Sequence, residues 1–155
     1  MSQPFLYSVE RVYASPVEKV WDAWIDARAL EAWYHPTDLK VLSGSVISQP
    51  QVAGIWAVGV EVPKFNFVAY FFGRYKVVEK HKRLEHTMSY TQSVEEFVAR
   101  NEDAPSHNVV IEFEARDATT WVKFSQFGEL PEGQAAQAQT GMESYFDSLE
   151  IFLNP

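Results

Sequence analysis

An apolar stripe runs along the last twenty residues of the sequence, from Gln134 to Leu153. Its members recur at helical spacing and are Met142, Tyr145, Phe146, Leu149, Phe152 and Leu153. This periodicity predicts a helix about 30 Å long. A helix with one apolar stripe has to bury it against another layer, and residues 39–90 are patterned as strands. We therefore expect an antiparallel sheet that curves around the final helix, with room for a cavity between them. Residues 134–139 are small or polar, which predicts loose packing or exposure for the first half of this helix.

Two short helices are expected near the start of the chain, after a strand that alternation predicts over Phe5–Tyr13. Ser15, followed by a proline and then by Glu18, is typical of a helix start in which Ser15 caps the helix and Glu18 completes a capping box. A second helix over residues 26–34 would end at His35, because the residue before a proline avoids helical angles.

The middle of the chain is patterned as further strands. Apolar runs and alternation predict them at residues 41–47, 55–62, 65–79, 83–90, 108–115 and 120–127. Gly73, inside the longest of these strands, predicts a bulge or a bend. Ser93 and Glu96 form a second capping box, which predicts one or two turns of helix over residues 94–100. Long strands that bend are what a sheet needs in order to wrap a helix.

Length and charge limit the classes of function. The 155 residues, 46% of them hydrophobic, fit one domain over residues 1–155. The formal net charge is −8, and the one basic run, Lys80 to Arg83, is expected at a solvated turn. We therefore expect no nucleic-acid partner and no attraction to an anionic membrane. The sequence has no cysteine, no apolar stretch long enough for membrane insertion, and no secretory pattern at Met1 to Pro4, so we expect a cytoplasmic protein.

Several short motifs, taken in their order and spacing, resemble one known family. They are Ser15-Pro16 with Val20-Trp21, Trp33-Tyr34-His35-Pro36, Ala53-Gly54-Ile55-Trp56, the set Gly73, Tyr75, Arg83, Leu84 and Thr87, and the closing set Gly141, Met142 and Leu149. Over nearly its whole length the chain resembles the homologues of the activator of the heat-shock-protein-90 ATPase, within the START-like helix-grip superfamily. His35 and Met142 stand where that family usually has a small residue and an aromatic residue.

The resemblance implies an α+β fold of the helix-grip type. A curved antiparallel sheet of about six or seven strands would wrap a long C-terminal helix, with two short helices after the first strand and a cavity between sheet and helix. The resemblance implies no particular reaction. Its superfamily includes lipid carriers, hormone binders, polyketide cyclases and co-chaperone domains, and a fold does not determine a function.

Twelve residues are candidates for binding a ligand in such a cavity. The aromatic ones, which either line the cavity or fill a plain core, are Trp24, Trp33, Trp56, Phe71, Phe124, Tyr145 and Phe146. The remaining candidates are Tyr75, His86, Met88, Gln126 and Met142. Three of these, Tyr75, His86 and Gln126, would orient a polar group of the ligand. The resemblance turns Tyr75 inward and leaves its neighbour Arg74 outward in a salt bridge.

His86 is the titratable candidate of most interest. It shares a strand face with Leu84 and Met88, and it would act as an acid or a base if that face looks into the cavity. The alternative is a core-edge histidine bonded to a backbone group. We assign no catalytic residue, no metal site and no cofactor. The four histidines show no ligand spacing, and the sequence has neither a nucleophile elbow nor a phosphate-binding glycine loop.

Three functions remain open. The first is binding of a small or medium hydrophobic or lipid-like molecule. The second is co-chaperone-like regulation of a heat-shock ATPase, and the third is a cyclase- or hydrolase-type enzyme that uses His86. A large cavity containing His86 would favour the first and third, and a filled core with an exposed apolar patch would favour the second. The sequence favours binding over catalysis, and its aromatic excess is compatible with a homodimer.

Overall fold

The computed structural model describes residues 3–154. Residues 1, 2 and 155 of the predicted domain lie outside the described residues, and so do the first two of the four positions at which no secretory pattern was found. The elements follow in the order β1 (Phe5–Tyr13), α1 (Val17–Ile25), α2 (Ala27–Trp33), β2 (Lys40–Val41), β3 (Ile47–Ser48), β4 (Ile55–Val62), β5 (Phe67–Glu79), β6 (Arg83–Thr91), α3 (Val94–Ala99), β7 (His107–Arg116), β8 (Thr119–Phe127) and α4 (Gln134–Leu153). A short 3-10 turn, Pro63–Phe65, joins β4 to β5.

One antiparallel sheet holds these eight strands in the order β1-β8-β7-β6-β5-β4-β2, with β3 also paired to β4. The sheet curls around α4, and α1 and α2 follow the first strand. The expected α+β helix-grip class is therefore confirmed. Seven strands lie along the path of the sheet, which matches the upper end of the expected six or seven, and the two-residue β3 is additional.

The last helix has the predicted bounds, Gln134–Leu153, and divides into two unlike halves. Its second half buries the apolar stripe, with Phe146 and Leu149 completely covered. Its first half carries small and polar residues and is mostly exposed, as predicted. Side-chain size therefore sets how closely each half approaches the sheet.

In the described part of the chain, the side-chain hydrogen bonds and ion pairs that join α4 to other elements all involve α4 residues from Glu143 onward. Tyr13 Oη donates to the Phe146 carbonyl at 2.9 Å, and Lys19 Nζ donates to the Leu153 carbonyl at 2.9 Å. Ser148 Oγ donates to the His35 carbonyl at 2.6 Å. Arg11 of β1 lies 2.6 Å from an Asp147 carboxylate oxygen, and Glu143 and Glu150 lie within 3.9 Å of the same guanidinium. Only the second half of the helix is tied down in this way.

The start of α1 differs from the prediction. Pro16, in extended conformation, is the N-cap, and no side chain caps the helix, so the Ser15–Glu18 capping box is wrong. The residue before a proline is held extended, and this places Ser15 one position too early to reach the helix start. The Ser15 carbonyl instead accepts from Thr120 Oγ1 at 2.8 Å. The second expected cap is present, since Ser93 Oγ accepts from the Glu96 amide of α3.

Two strand predictions also need correction. Residues 41–47 form no continuous strand, because Gly44 adopts φ +81 and turns the chain between β2 and β3. Ser45 Oγ accepts from the Gly59 amide at 2.9 Å there, so a side chain takes the place of a backbone partner. In β5 the register shift lies between Tyr75 and Val77, not at Gly73. Gly73 serves a close approach, since a Cβ there would lie 1.9 Å from the Thr87 carbonyl oxygen.

Among the helices within residues 3–154, none is both long and apolar enough to cross a bilayer.

Candidate ligand-binding cavity

A cavity of about 960 Å³ lies at one end of the groove between the sheet and α4 and is partly open to solvent. The lining residues are Gln3, Pro4, Tyr7, Tyr34, Phe71, Met88, Tyr90, Pro105, Ser106, His107, Gln126, Glu129, Leu130, Ala138, Gly141, Met142 and Tyr145. This is the end at which β1 and β7 begin and β6 and β8 finish, and it faces the small-residue half of α4. The cavity therefore occupies the space that the first half of the helix does not fill.

Five of the twelve candidate residues line this cavity, namely Phe71, Met88, Gln126, Met142 and Tyr145. The structure places the other seven in the packed core, each at most 3% exposed, and they are Trp24, Trp33, Trp56, Tyr75, His86, Phe124 and Phe146. The division follows position along the groove. At the far end α1 and α2 lie across the sheet, and Trp24 packs between Trp33 and Phe124 with ring centroids 4.7 and 6.3 Å away.

His86 is a core histidine in this structure. Its imidazole stacks on the Trp56 ring at 4.1 Å between centroids, and its Nδ1 lies 2.8 Å from the Thr87 carbonyl, which fixes the proton on Nδ1. Desolvation by burial lowers the pKa of His86 to about 4, although the bond to the Thr87 carbonyl acts in the opposite direction. His86 is not among the cavity-lining residues, so it lacks the contact with a ligand that acid–base catalysis would need.

Tyr75 points inward and Arg74 outward, as the resemblance implies. Arg74 pairs with Glu102 on the surface, whereas Tyr75 is 2% exposed. The Tyr75 hydroxyl lies 2.9 Å from Ser48 Oγ. Burial raises the pKa of Tyr75 to about 12, and the bond to Ser48 opposes the shift. Both polar ends of this pair are satisfied inside the protein, away from the cavity.

Gln126 belongs to a row of polar groups on the cavity wall. Tyr7 Oη donates to Gln126 Oε1 at 2.6 Å, and Gln126 Nε2 lies 2.7 Å from His107 Nδ1. His107 Nε2 in turn lies 3.1 Å from the Glu129 carbonyl oxygen. Strands β1, β7 and β8, which are neighbours in the sheet, supply the three side chains. The buried amide that the sequence analysis singled out thus finds its partners within the protein.

Two further hydroxyls on the cavity wall, those of Tyr34 and Tyr145, have no hydrogen-bond partner among residues 3–154, unlike those of Tyr7, Tyr13 and Tyr75. The Tyr34 and Tyr145 rings meet edge to face at 4.9 Å. Burial raises the pKa of both phenols, and for Tyr34 the neighbouring tyrosines add to the effect. Both groups are therefore neutral hydrogen-bond donors at physiological pH.

Sequence reasoning missed Tyr7, Tyr34 and His107. The signal for Tyr7 and His107 was strand parity, since each is two residues from an inward valine, Val9 and Val109. The predicted strand 108–115, which corresponds to β7, started one residue late and left His107 in the preceding loop. No periodic signal marks Tyr34, because it follows the last residue of α2 as its C-cap.

Two glycines keep this region open. Gly128 adopts φ +155, and a Cβ there would lie 2.3 Å from the His107 ring, so only glycine leaves room for the imidazole. Gly141 lies in the interior of α4 and lines the cavity, and a Cβ there would meet nothing within 4 Å. Glycine in a helix interior costs about 1 kcal/mol relative to alanine, and here it leaves the cavity wall without a side chain at position 141.

No cluster of three or more potential metal ligands occurs within residues 3–154. The cavity wall offers phenols, two amides, one serine hydroxyl, one imidazole and one carboxylate, a set that suits hydrogen bonding to an organic molecule.

The family follows from comparison with known protein families. Residues 14–154 match the model described as Activator of Hsp90 ATPase homolog 1-like protein. The chain belongs to this family. None of the curated proteins compared with the chain matches it.

Solved structures of similar fold come from several bacteria. A protein from Chromobacterium violaceum is 17% identical, with a TM-score of 0.79, over 96% of this chain and 97% of that one. The AHSA1 protein from Silicibacter pomeroyi is 14% identical, with a TM-score of 0.78, over 95% and 96% of the two chains. A protein from Staphylococcus epidermidis is 23% identical, with a TM-score of 0.75, over 95% and 88%. At these identities the likeness establishes the fold alone.

Proposed function

We propose that the protein binds a neutral, mostly apolar molecule that carries a hydrogen-bond-accepting oxygen, and that it holds this molecule in the cavity between the sheet and α4. The observation that carries the proposal is the pair of hydroxyls, Tyr34 and Tyr145, on the cavity wall without a partner among residues 3–154. Both hydroxyls face the open cavity rather than being sealed in the core, so a ligand oxygen can accept from them in place of water. A hydrogen bond of this kind contributes about 0.5–1.5 kcal/mol.

The size and character of the cavity support this proposal. Its volume of about 960 Å³ is near the upper end of the range for small-molecule sites, about 300–1,000 Å³. Phe71, Met88 and Met142 supply an apolar wall, and methionine adapts well to ligands of irregular shape. A few polar groups on an otherwise apolar wall are typical of sites that fix the orientation of a hydrophobic molecule.

Charge narrows the class of ligand. No lysine or arginine is found among the described residues that line the cavity, and the one carboxylate there is that of Glu129. A fatty acid or a phospholipid headgroup would enter without a cation to pair with, and the protein's net charge of −8 would oppose it. Neutral phenols instead donate to a carbonyl or an ether oxygen.

The other functions considered from the sequence have less support. An acid–base role for His86 lacks contact with the cavity. Regulation of a heat-shock ATPase, which the family's description suggests, would need a docking surface. The exposed large apolar residues, which include Phe5, Phe65 and Val98, are distributed over separate elements. An ATPase assay with a heat-shock-protein-90 chaperone would test this candidate directly.

The decisive experiment is a thermal-shift screen of neutral and anionic hydrophobic molecules against the protein and a variant with a blocked cavity. Gly141→Leu places a side chain in the open space beside the helix, whereas Ala136→Leu adds the same side chain at an exposed position of α4. We expect neutral carbonyl compounds to stabilise the wild type and Ala136→Leu but not Gly141→Leu. Stabilisation of all three proteins alike, or of none, would reject the proposal.

Replacing the two hydroxyls tests the polar part of the site. Tyr34→Phe and Tyr145→Phe each remove one donor and keep the ring, so each should weaken binding of a ligand from the screen about three- to tenfold. Tyr70→Phe is the matched control, because Tyr70 packs on Phe97 on the other side of the sheet. Equal affinities for all variants would show that the hydroxyls do not contact the ligand.

A further inference from the structure

The polar row consists of Tyr7, Gln126, His107 and the Glu129 carbonyl. The backbone carbonyl at its end determines which group donates and which accepts in each of its hydrogen bonds. Its last member, the Glu129 carbonyl, can only accept a hydrogen bond. A neutral imidazole has one proton, so neutral His107 must carry it on Nε2, which faces that carbonyl. Nδ1 is then bare and can only accept.

The same constraint passes along the row. Because His107 Nδ1 accepts, Gln126 must present its Nε2 amide there, and its Oε1 is turned to Tyr7. Tyr7 then has to donate its only proton to Gln126. With neutral His107, Tyr7 therefore presents only lone pairs to the cavity, although its ring lines the wall.

We propose that His107 is a positioning residue that sets, through Gln126, whether Tyr7 offers a lone pair or a proton to a molecule in the cavity. When His107 takes up a proton, both ring nitrogens donate, and Nδ1–H can no longer face an amide N–H. A half-turn of the Gln126 amide brings Oε1 to Nδ1–H and Nε2 to Tyr7 Oη. Tyr7 now accepts from Gln126. Its hydroxyl proton, which stays on the oxygen, points into the cavity and can be donated to a ligand.

The surroundings of the row hold its side chains in place, so a change of proton at His107 can reverse the hydrogen bonds of Gln126 and Tyr7. Gln126 and Tyr7 are 6% and 4% exposed, so little of either side chain is open to water. Gly128 leaves the imidazole its place against the backbone, as a Cβ there would overlap it. The half-turn exchanges two groups of equal size within one amide, so no atom of the surrounding wall has to move.

Other ionisable groups near His107 come from each neighbouring element. Those that line the cavity with it are Tyr7 of β1, Tyr34 after α2, Tyr90 of β6, Glu129 after β8 and Tyr145 of α4. In the loop before β7, Glu102 pairs with Arg74 on the surface, and Lys76 of β5 contacts Asn108, which follows His107. The Glu129 carboxylate is the charged side chain that lines the cavity with His107, and it has to be separated from the row in any test.

This inference rests on the proposed binding function only where it predicts an effect of His107 protonation on ligand affinity. A ligand with an acceptor opposite Tyr7 should bind better when His107 is protonated, and a ligand with a donor there should bind better when it is neutral. The row itself can be tested in the free protein, so the two proposals can fail separately.

Nuclear magnetic resonance of the ligand-free protein gives the first test. At about pH 8, His107 should show the Nε2–H form with a bare Nδ1. On acidification to about pH 5, the side-chain amide signals of Gln126 should move with the same midpoint as the His107 ring, while those of exposed Gln92 do not. An Nδ1–H form at the higher pH, or a Gln126 amide that does not respond, would overturn the proposal.

Binding of two matched probes gives the second test. Acetonaphthone and the corresponding naphthylethanol share a skeleton, but only the alcohol carries a donor. In the wild type the ratio of ketone to alcohol affinity should rise about three- to tenfold on acidification. Gln126→Met, which breaks the row, should abolish this change, and Glu129→Gln, which removes the carboxylate but keeps the carbonyl, should preserve it.

The outcomes separate the two proposals. A ratio that stays constant in the wild type, or that rises equally in Gln126→Met, overturns the role of His107. If neither probe nor any other neutral molecule binds, the proposed function fails. The resonance experiment still decides whether the hydrogen bonds along the row reverse when His107 is protonated.

Discussion

The two ends of the groove beneath α4 are built from the same sheet and the same helix, yet one is solid and the other is open. At the closed end, Trp24, Phe124 and Phe146 pack with ring centroids about 6 Å apart, under α1 and α2. At the open end, Gly141 and Ala138 face the sheet across a cavity of about 960 Å³. The comparison shows that the size of the helix side chains, together with the cover from α1 and α2, decides where a cavity forms.

The two ends also treat polar groups differently. At the closed end the Tyr13 hydroxyl donates to the Phe146 carbonyl, and Trp33 Nε1 donates to the Ala23 carbonyl at 2.7 Å. At the open end Tyr34 and Tyr145 keep free hydroxyls within the described part of the chain. The closed end thus pairs its polar groups inside the protein, with Trp24 Nε1 as the exception, whereas the open end leaves two hydroxyls available where a molecule can enter.

Truncating the helix at each end should give the largest contrast. Phe146→Ala leaves an enclosed void among aromatic rings and should lower the free energy of unfolding by about 3–5 kcal/mol. Met142→Ala enlarges a cavity that already exists, so it should cost only about 1–2 kcal/mol. Urea denaturation of both variants measures the difference. Equal losses would contradict the division of the groove into a packed and an open end.

Acid should weaken the closed end through His86. Its pKa is lowered to about 4 by burial, so the folded protein binds fewer protons than the unfolded chain once the pH falls below about 6.5. Stability is unaffected by this group at higher pH and should fall by about 3 kcal/mol in total as the pH approaches 4.

The variant His86→Gln removes this titration. The free energies of unfolding of the two proteins should be compared first at about pH 8, where the difference reports lost packing and the lost bond to the Thr87 carbonyl. On acidification the variant should then lose less stability than the wild type. If the free energy of unfolding falls equally with pH in both proteins, His86 is protonated in the folded state as easily as in the unfolded chain.

Two neighbouring tryptophans sharpen the contrast in polar groups. Trp24 Nε1 is the one buried side-chain polar atom without a partner among the described residues, whereas Trp33 Nε1 is bonded. Both changes to phenylalanine lose similar volume, but only Trp33→Phe breaks a bond. Trp33→Phe should therefore be about 1–3 kcal/mol more destabilising than Trp24→Phe, as measured by chemical denaturation. The reverse order would show that packing dominates over the bond.

The smallest effect is expected for the hydroxyls. Tyr13→Phe removes a bond and should cost about 1 kcal/mol of stability, whereas Tyr34→Phe removes an unpaired hydroxyl and should leave the free energy of unfolding nearly unchanged. Thermal unfolding of the ligand-free proteins measures both. A clear loss in Tyr34→Phe would indicate a partner for that hydroxyl inside the protein.

The sequence was sufficient for most of the fold. The bounds of α4 and β1 could be predicted because each carries an unbroken period over many residues. The prediction failed at residues 41–47, where the apolar residues on either side of Gly44 belong to two short strands. Local turn geometry overrode the alternation at that position.

The site was harder to predict, and two histidines show why. His86 and His107 both lie on inward faces of neighbouring strands, which parity reveals. Parity does not reveal depth along the groove, and depth separates the two. His86 lies beside Trp56 in the core, and His107 lies at the first residue of β7, where the cavity opens. That difference depends on how far α1 and α2 extend over the sheet, which is a property of the assembled fold.

The anchoring of α4 from Glu143 onward makes the helix, in mechanical terms, a beam fixed at one end. Its less firmly held part runs from Gln134 to Gly141, about 12 Å of helix in which Ala138 alone packs against the core among the described residues. At that length a tilt of only about 10° at the support displaces the far tip by roughly 2–3 Å. The width of the entrance is thus governed by a small angle set at the rigid aromatic end, far from the entrance itself.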